Sequence, residues 1–355
     1  MKTSGVAHII LLRIVILSLL ASGPIADQPD PQLGSSITPK EHQRGPEQTF
    51  LTFPEWFLVH SPAEYAAFVK DQPPSEFPFI GHIKQLWQSY GAVDRATKGK
   101  YPFNFGYHVM IVMISMSTTV EYLLRSAYET LIGRVSALTR TQGMTEEDLL
   151  AARVAQNYVD FIRVRPFYEY DFLGDLISLW KEPSFVGPDM LRKWERKYAL
   201  TTEYLTKAMY GWFIRKATQA SYDVALDTTA VVIDRLPADI DSELPKLQLL
   251  ESFPDGSALV TVPRYDAFKT YSLALAKRGV EFQEIAGNRS AILVSALVPL
   301  DWAPGDDQSE VLFTQPILTQ TSLKRVALVC SVGQLAKLLR SLDDSGLVVE
   351  HVYDY

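Results

Sequence analysis

Cysteine is almost missing: Cys330 is the single one in 355 residues. One thiol closes no intramolecular disulfide and excludes every CxxC metal or redox site. That usage suits cytoplasm and periplasm equally. Histidine is scarce too. His8, His42, His60, His82, His108 and His351 are the full set, and no two stand three or four residues apart, so no local metal pair exists. Basic blocks are lacking and the net charge is −7, which argues against a nucleic-acid partner. The dinucleotide-binding glycine pattern, the phosphate-binding loop, HExxH, GxSxG and the EF-hand loop are all absent, so no cofactor is expected. Long uninterrupted apolar runs are few. The best internal one, Tyr107 to Leu124, still contains His108 and Glu121.

What remains is the composition of a folded chain, 47% hydrophobic and 21% charged, long enough for two domains. The stretch that organises it is Phe105 to Leu124. Pro102 and Asn104 mark a helix start. Behind them His108, Ser115, Thr118, Thr119, Tyr122, Ser126 and Glu129 share one stripe at about 3.6 residues per turn. Met, Ile, Val and Leu fill the other faces. Glu121 and Arg125 stand in the favourable order for an i,i+4 pair. Two readings fit: a membrane span, which needs about 20 mostly apolar residues, or a core or interfacial helix of a bundle. In both, the stripe must be buried against protein, and Glu203, Tyr204 and Lys207 of the later long helix offer complementary groups.

Residues 1–26 read as a signal peptide or uncleaved N-terminal anchor, with an apolar run broken by Arg13 and a small-residue pattern at Ala21-Ser-Gly23. Residues 27–48, rich in Pro, Gly, Ser and Gln, read as a disordered linker. Thr49 to Phe57 is a dense aromatic cluster, and Ser61-Pro-Ala-Glu64 predicts a capped helix start. Thr145-Glu-Glu-Asp148 predicts another. Gly187-Pro-Asp189 opens a long helix to about Tyr222, with Trp194, Tyr198, Leu205, Met209 and Trp212 expected on its buried side. The Trp and Tyr positions would equally suit a membrane interface. Residues 49–230 are therefore a helical, membrane-embedded or bundled region.

Beyond Val231 the pattern changes to strands, near 231–236, 247–252, 258–262, 280–285, 291–298, 311–319, 325–330 and 347–353. Helices are expected at 265–277 and 333–342. Asp255-Gly256 and Gly287-Asn288 signal hairpin turns. A repeat is visible: Ala258-Leu-Val260, a helix and Gly279-Val-Glu-Phe282 match Ala327-Leu-Val329, a helix and Gly346-Leu-Val-Val349. Two strand–helix–strand units in one sheet predict a ferredoxin-like α+β domain over 231–355.

Candidate chemistry is thin. Glu55, His60 and His108 could hold a metal if the fold brings them together, with His82 and Glu64 as further donors. Glu169 and Asp171, two apart amid aromatics, could form an acid/base pair; the alternative is a solvated loop satisfied by Arg163 and Arg165. No nucleophile or oxyanion feature accompanies them.

Thr52-Phe-Pro-Glu-Trp56, Gly106-Tyr-His-Val-Met110, Thr119-Val-Glu-Tyr122, Gly133-Arg134, Tyr204 to Trp212 and Ala217 to Tyr222 resemble a group of uncharacterised bacterial membrane-associated proteins. The resemblance covers most of 49–355. It implies membrane association and supplies no catalytic residues. The expectation is a bacterial inner-membrane protein with periplasmic exposure. Its α+β domain would bind a protein partner or a small ligand without catalysis. The alternative is a membrane-associated hydrolase or metal-dependent enzyme using the Glu and His residues above.

Overall fold

The structure, a computed structural model, describes residues 35–45, 47–141, 143–221, 226–304 and 309–353. The expected export segment 1–26 lies outside them. The chain divides into two compact units. One holds 56–86 and the described part of 109–223. The other holds the described parts of 26–55, 87–108 and 224–355. The second unit thus draws in 35–55 and 87–108, which sequence reading assigned to a linker and to the helical region.

The main helices are α1 (Gln48–Phe68), α2 (Phe79–Thr97), α3 (Phe105–Tyr128), α4 (Glu146–Ile162), α5 (Phe172–Lys181) and α6 (Met190–Ser221). Helix α1 departs from expectation. It passes through Pro54 and Pro62 without a break, although an interior proline costs about 3 kcal/mol. Phe57, Val59, Ala66 and other apolar residues along it are buried, and tertiary burial overrides propensity. Ser61 is accordingly not a cap.

Helix α3 continues through a π turn at Glu129–Gly133 and a helical turn at Arg134–Ala137. Phe105–Ala137 is the one helix among the described residues long and apolar enough to cross a membrane by length and composition. Its predicted polar stripe is largely buried: His108, Ser115, Thr118, Tyr122 and Glu129 are buried, and Thr119 and Ser126 half-buried. Thr145 caps α4 with the expected box, accepting from the Asp148 amide at 3.2 Å.

The second unit carries two copies of one topology. Strands β1 (Thr228–Ile233), β2 (Gln248–Ser252) and β3 (Ala258–Pro263), helix α7 (Asp266–Lys277) and β4 (Phe282–Ile285) form the first. Strands β5 (Ala291–Pro299), β6 (Glu310–Pro316) and β7 (Leu323–Ser331), helix α8 (Leu335–Asp344) and β8 (Val348–Val352) form the second. The sheet orders are β2-β3-β1-β4 and β6-β7-β5-β8, antiparallel throughout. In each copy the helix carries the chain across one intervening strand, β1 or β5, the split crossover that the repeat predicts. The α+β class holds. The expected single ferredoxin-like sheet does not: each repeat brings enough strands to build its own sheet. The register shifts recur in both copies as well, between Leu249 and Glu251 in β2 and between Val311 and Phe313 in β6.

Both sheets and both helices feed one core, with Phe268, Leu275, Val294, Leu328, Leu335 and Leu339 almost fully buried. The segment before α1 is ordered against this unit, contrary to the linker reading. The Arg44 amide donates to Ala286 O at 2.8 Å, Thr38 bonds Glu284, and Ile37 packs on Ala230, Val232 and Leu259. Polar residues predicted disorder here because composition does not register a docking surface elsewhere in the chain.

Candidate functional site: an ion-filled helical interior

The site is organised by α6, and its amphipathicity is reversed relative to expectation. Trp194, Tyr198, Leu205, Met209 and Trp212, assigned to the buried side, point outward; Tyr198 is 67% and Trp212 56% exposed. Arg192, Lys193, Arg196 and Lys197 are buried instead, Arg192 completely. The helix period was read correctly and the face wrongly: acids from α4 and the α3 extension hold the cationic edge inward.

Each buried cation has acidic company. Arg192 donates to Asp148 on α4 at 2.7 Å, to Glu195 at 3.0 Å and to the Ser136 hydroxyl at 2.9 Å. Arg196 donates to Glu195 at 2.6 Å and to Glu129 on the α3 extension at 3.0 Å. Lys193 and Lys197 lie 3.5 and 3.3 Å from Glu147, and Lys197 also donates to Leu179 O at 3.1 Å. These four cations face the buried acids Glu129, Glu147, Asp148 and Glu195, and Lys193 also reaches the exposed Glu146 at 2.8 Å. Farther along α6, Glu203 meets Lys207 at 2.7 Å and Arg125 at 3.6 Å, and Lys207 stands 3.6 Å from Glu121. Burial alone would raise the Glu203 carboxyl; the Arg125 and Lys207 cations override it and hold it at about 2. The signal was present in sequence as the i,i+4 pairs Arg192/Arg196 and Lys193/Lys197, beside acids at Glu129, Glu147 and Asp148.

Outside, the same bundle is apolar on one side. On the α3 run Met116, Leu123, Leu124, Leu131, Val135 and Leu138 are exposed; on α5, Leu173, Ile177 and Trp180 are. Trp180, Phe185 and Trp194 form a ring cluster with centroids 6.1 to 6.4 Å apart. Exposed large apolar side chains thus recur on α3, α5 and α6. The exposed residues of α4 are mostly polar: Glu146, Arg153, Asn157 and Asp160.

The predicted site residues fall into separate places. Asp171 is the N-cap of α5, accepting from the Gly174 amide at 2.9 Å, and Glu169 is exposed. The acid that senses this aromatic cluster is Asp175, which sequence reading missed. Burial raises its carboxyl, opposed by the Tyr170 hydroxyl and reinforced by the Asp171 charge. In the other unit, Glu55 accepts from the Tyr107 hydroxyl, and His108 bridges Glu47 (3.2 Å) and the Tyr90 hydroxyl (3.0 Å) beneath the stacked Phe103 ring. His60 is buried in the helical unit. Among the described residues no group of three or more His, Cys, Asp or Glu is placed to hold a metal ion.

One constellation in the helical unit has the elements of a hydrolase triad. The His82 Nδ1 lies 2.9 Å from the Ser61 hydroxyl, which stands 2.6 Å from the Tyr122 hydroxyl, and Glu64 lies 3.6 Å from His82 Nε2. Ser61 and His82 are buried, at 1% and 0% exposure. Phe77 stacks on the imidazole at 4.6 Å. A serine so enclosed meets no substrate, and the array fastens α1, α2 and α3 to one another. Cys330 is also buried, and burial pushes its thiol up to about 12, which keeps it unreactive.

Comparison with protein-family models, with curated proteins and with solved structures finds no match.

Proposed function

We propose that this is a membrane-associated protein that binds rather than transforms. The helical unit is its membrane-contacting part, and the repeat-built α+β unit is the part offered to a protein partner or a small ligand. A bacterial inner membrane is the expected compartment. The observation that carries the reading is the reversal of α6. A helix with Arg192 and Arg196 inside and Trp194, Leu205 and Trp212 outside suits an exterior that is not water. The outward apolar face of the α3 run supports it. Fractionation of cells producing the full chain tests it: the protein should stay with membranes through a high-salt wash and leave only with detergent. Full recovery in the soluble fraction would sink the reading.

The enzyme alternative rests on the Glu64–His82–Ser61 array and on the metal candidates Glu55, His60 and His108. A fluorophosphonate probe should leave the chain unlabelled, because Ser61 is enclosed. Stoichiometric zinc or iron in the purified protein, lost on His60→Ala or His108→Ala, would reverse the choice.

A further inference from the structure

The direction in which the apolar face looks decides how the helical unit meets a bilayer, given the membrane reading above. At about 100° per residue, the α6 residues that meet α4 (Arg192, Lys193, Lys197) lie opposite the outward row Trp194, Tyr198, Leu205, Met209 and Trp212. Helices α3 and α5 meet the flanks of α6 through Glu129 and Leu179. The unit thus has an apolar underside built from α3, α6 and α5, with α4 on the far side of α6. The outward row of α4 is Leu149, Arg153, Asn157 and Asp160, all exposed and polar at three of the four positions. Because Asp148 meets Arg192 at one end of α4 and Tyr158 lies under Lys207 toward the other, α4 and α6 run alongside in parallel. If α6 crossed the bilayer, the charged row of α4 would be carried into hydrocarbon with it, at about 2.5–3.5 kcal/mol for each charged side chain by insertion scales.

We infer that the helical unit lies in one leaflet of a phospholipid surface, its α3–α6–α5 face turned down into the acyl boundary and α4 turned up to water. The occupant of the apolar face is lipid. Exposed cations at the margins, Arg134, Lys181, Arg215 and Lys216, are placed for anionic headgroups. Lys216 and Arg215 follow Trp212 and Phe213, an aromatic pair with centroids 4.9 Å apart that suits the headgroup level. The buried ion pairs then have a plain role: they satisfy the charged edge of α6 inside protein, leaving its other edge entirely to lipid.

The test uses the full chain in a Cys330→Ser background. An environment-sensitive label is placed singly at Trp194→Cys, Leu205→Cys, Trp212→Cys and Arg153→Cys, on vesicles of phosphatidylethanolamine with a minority of phosphatidylglycerol. Circular dichroism checks that each variant keeps the native helix content. Trp194 and Trp212 stand about 27 Å apart along α6 on one face, with Leu205 between. Seating in the plane predicts that lipid-borne quenchers find the three α6 labels at one shallow depth, with efficiencies agreeing within about twofold, while the Arg153→Cys label is quenched by aqueous iodide. A deep Leu205→Cys label between two shallow ones would show that α6 crosses, overturning the inference while the membrane reading stands. A vesicle-bound chain with every label open to iodide would show that another surface makes the contact, which also overturns it. A chain that does not float with vesicles would defeat the membrane reading itself. As a second variant, Leu205→Lys with Met209→Lys should weaken vesicle binding about tenfold or more, and an unchanged affinity counts against the face.

Discussion

Replacing Arg192 by Met strips the completely buried guanidinium from the ion cluster while keeping most of the side-chain volume. Asp148 loses its bond at 2.7 Å, Glu195 one at 3.0 Å and Ser136 one at 2.9 Å. The cluster loses one positive charge, with Asp148 and Glu195 still nearly inaccessible to water. Removing one partner of a buried pair costs about 3–5 kcal/mol, mostly because the other charge stays buried and uncompensated. For a unit of this size each kcal/mol moves the melting midpoint by about 2–4 °C, so a fall of roughly 6–20 °C is expected. Arg153→Ala is the control. It breaks the solvent-exposed pair with Glu182 and should cost about 0–1 kcal/mol. The assay is thermal unfolding in detergent followed by tryptophan fluorescence, because Trp56, Trp180, Trp194 and Trp212 report on the helical unit. Arg192→Met/Asp148→Leu removes both charges and should recover a measurable part of the loss. Equal midpoints for Arg192→Met and Arg153→Ala would refute the claim that the cluster is dry and coupled.

Two further outcomes follow from the same interior. Glu203, held at about 2 in the folded chain against an ordinary 4.5, contributes stability that is present above pH 4.5 and lost as pH falls toward 2; Glu203→Gln should flatten the near-UV acid transition across that window, and an unaltered transition would exclude Glu203 as its source. At Gly133 an added Cβ would lie 2.0 Å from the Glu129 carboxylate that bonds Arg196, so Gly133→Ala should destabilise by roughly 1–3 kcal/mol in urea unfolding, and by far less in a Glu129→Ala background; equal costs in the two backgrounds would mean that the carboxylate is not what the methyl displaces.

Strands β1 to β8 and the stripe of α3 were legible because short alternating runs and a 3.6-residue period are local signals. The same holds for the Thr145–Asp148 capping box and for Asp255-Gly256, where Gly256 takes φ +90° as the turn requires. What escaped was set at long range. Ser61-Pro62 read as a helix start, yet burial carries α1 unbroken through Pro54 and Pro62. The stripe residue Tyr122 was expected to find its partner on α6 and finds Ser61 on α1 instead; the contacts to Lys207 and Glu203 come from Glu121 and Arg125, which sequence paired only with each other. The orientation of α6 escaped because its two edges are equally periodic. Only the acids contributed by α3 and α4 decide which edge turns inward.

The recurring register shift has a consequence for the exposed edges of the two sheets. Strands β2 and β6 are the outer strands of their sheets, and every residue of β2 is exposed, Leu249 and Leu250 among them. A flat strand of this kind would recruit an extended peptide by β-augmentation, or a second copy by edge pairing. A shift between Leu249 and Glu251, repeated between Val311 and Phe313, twists each rim away from a straight ladder of donors and acceptors. The duplicated module therefore carries the same guard against edge pairing twice, once on β2 and once on β6.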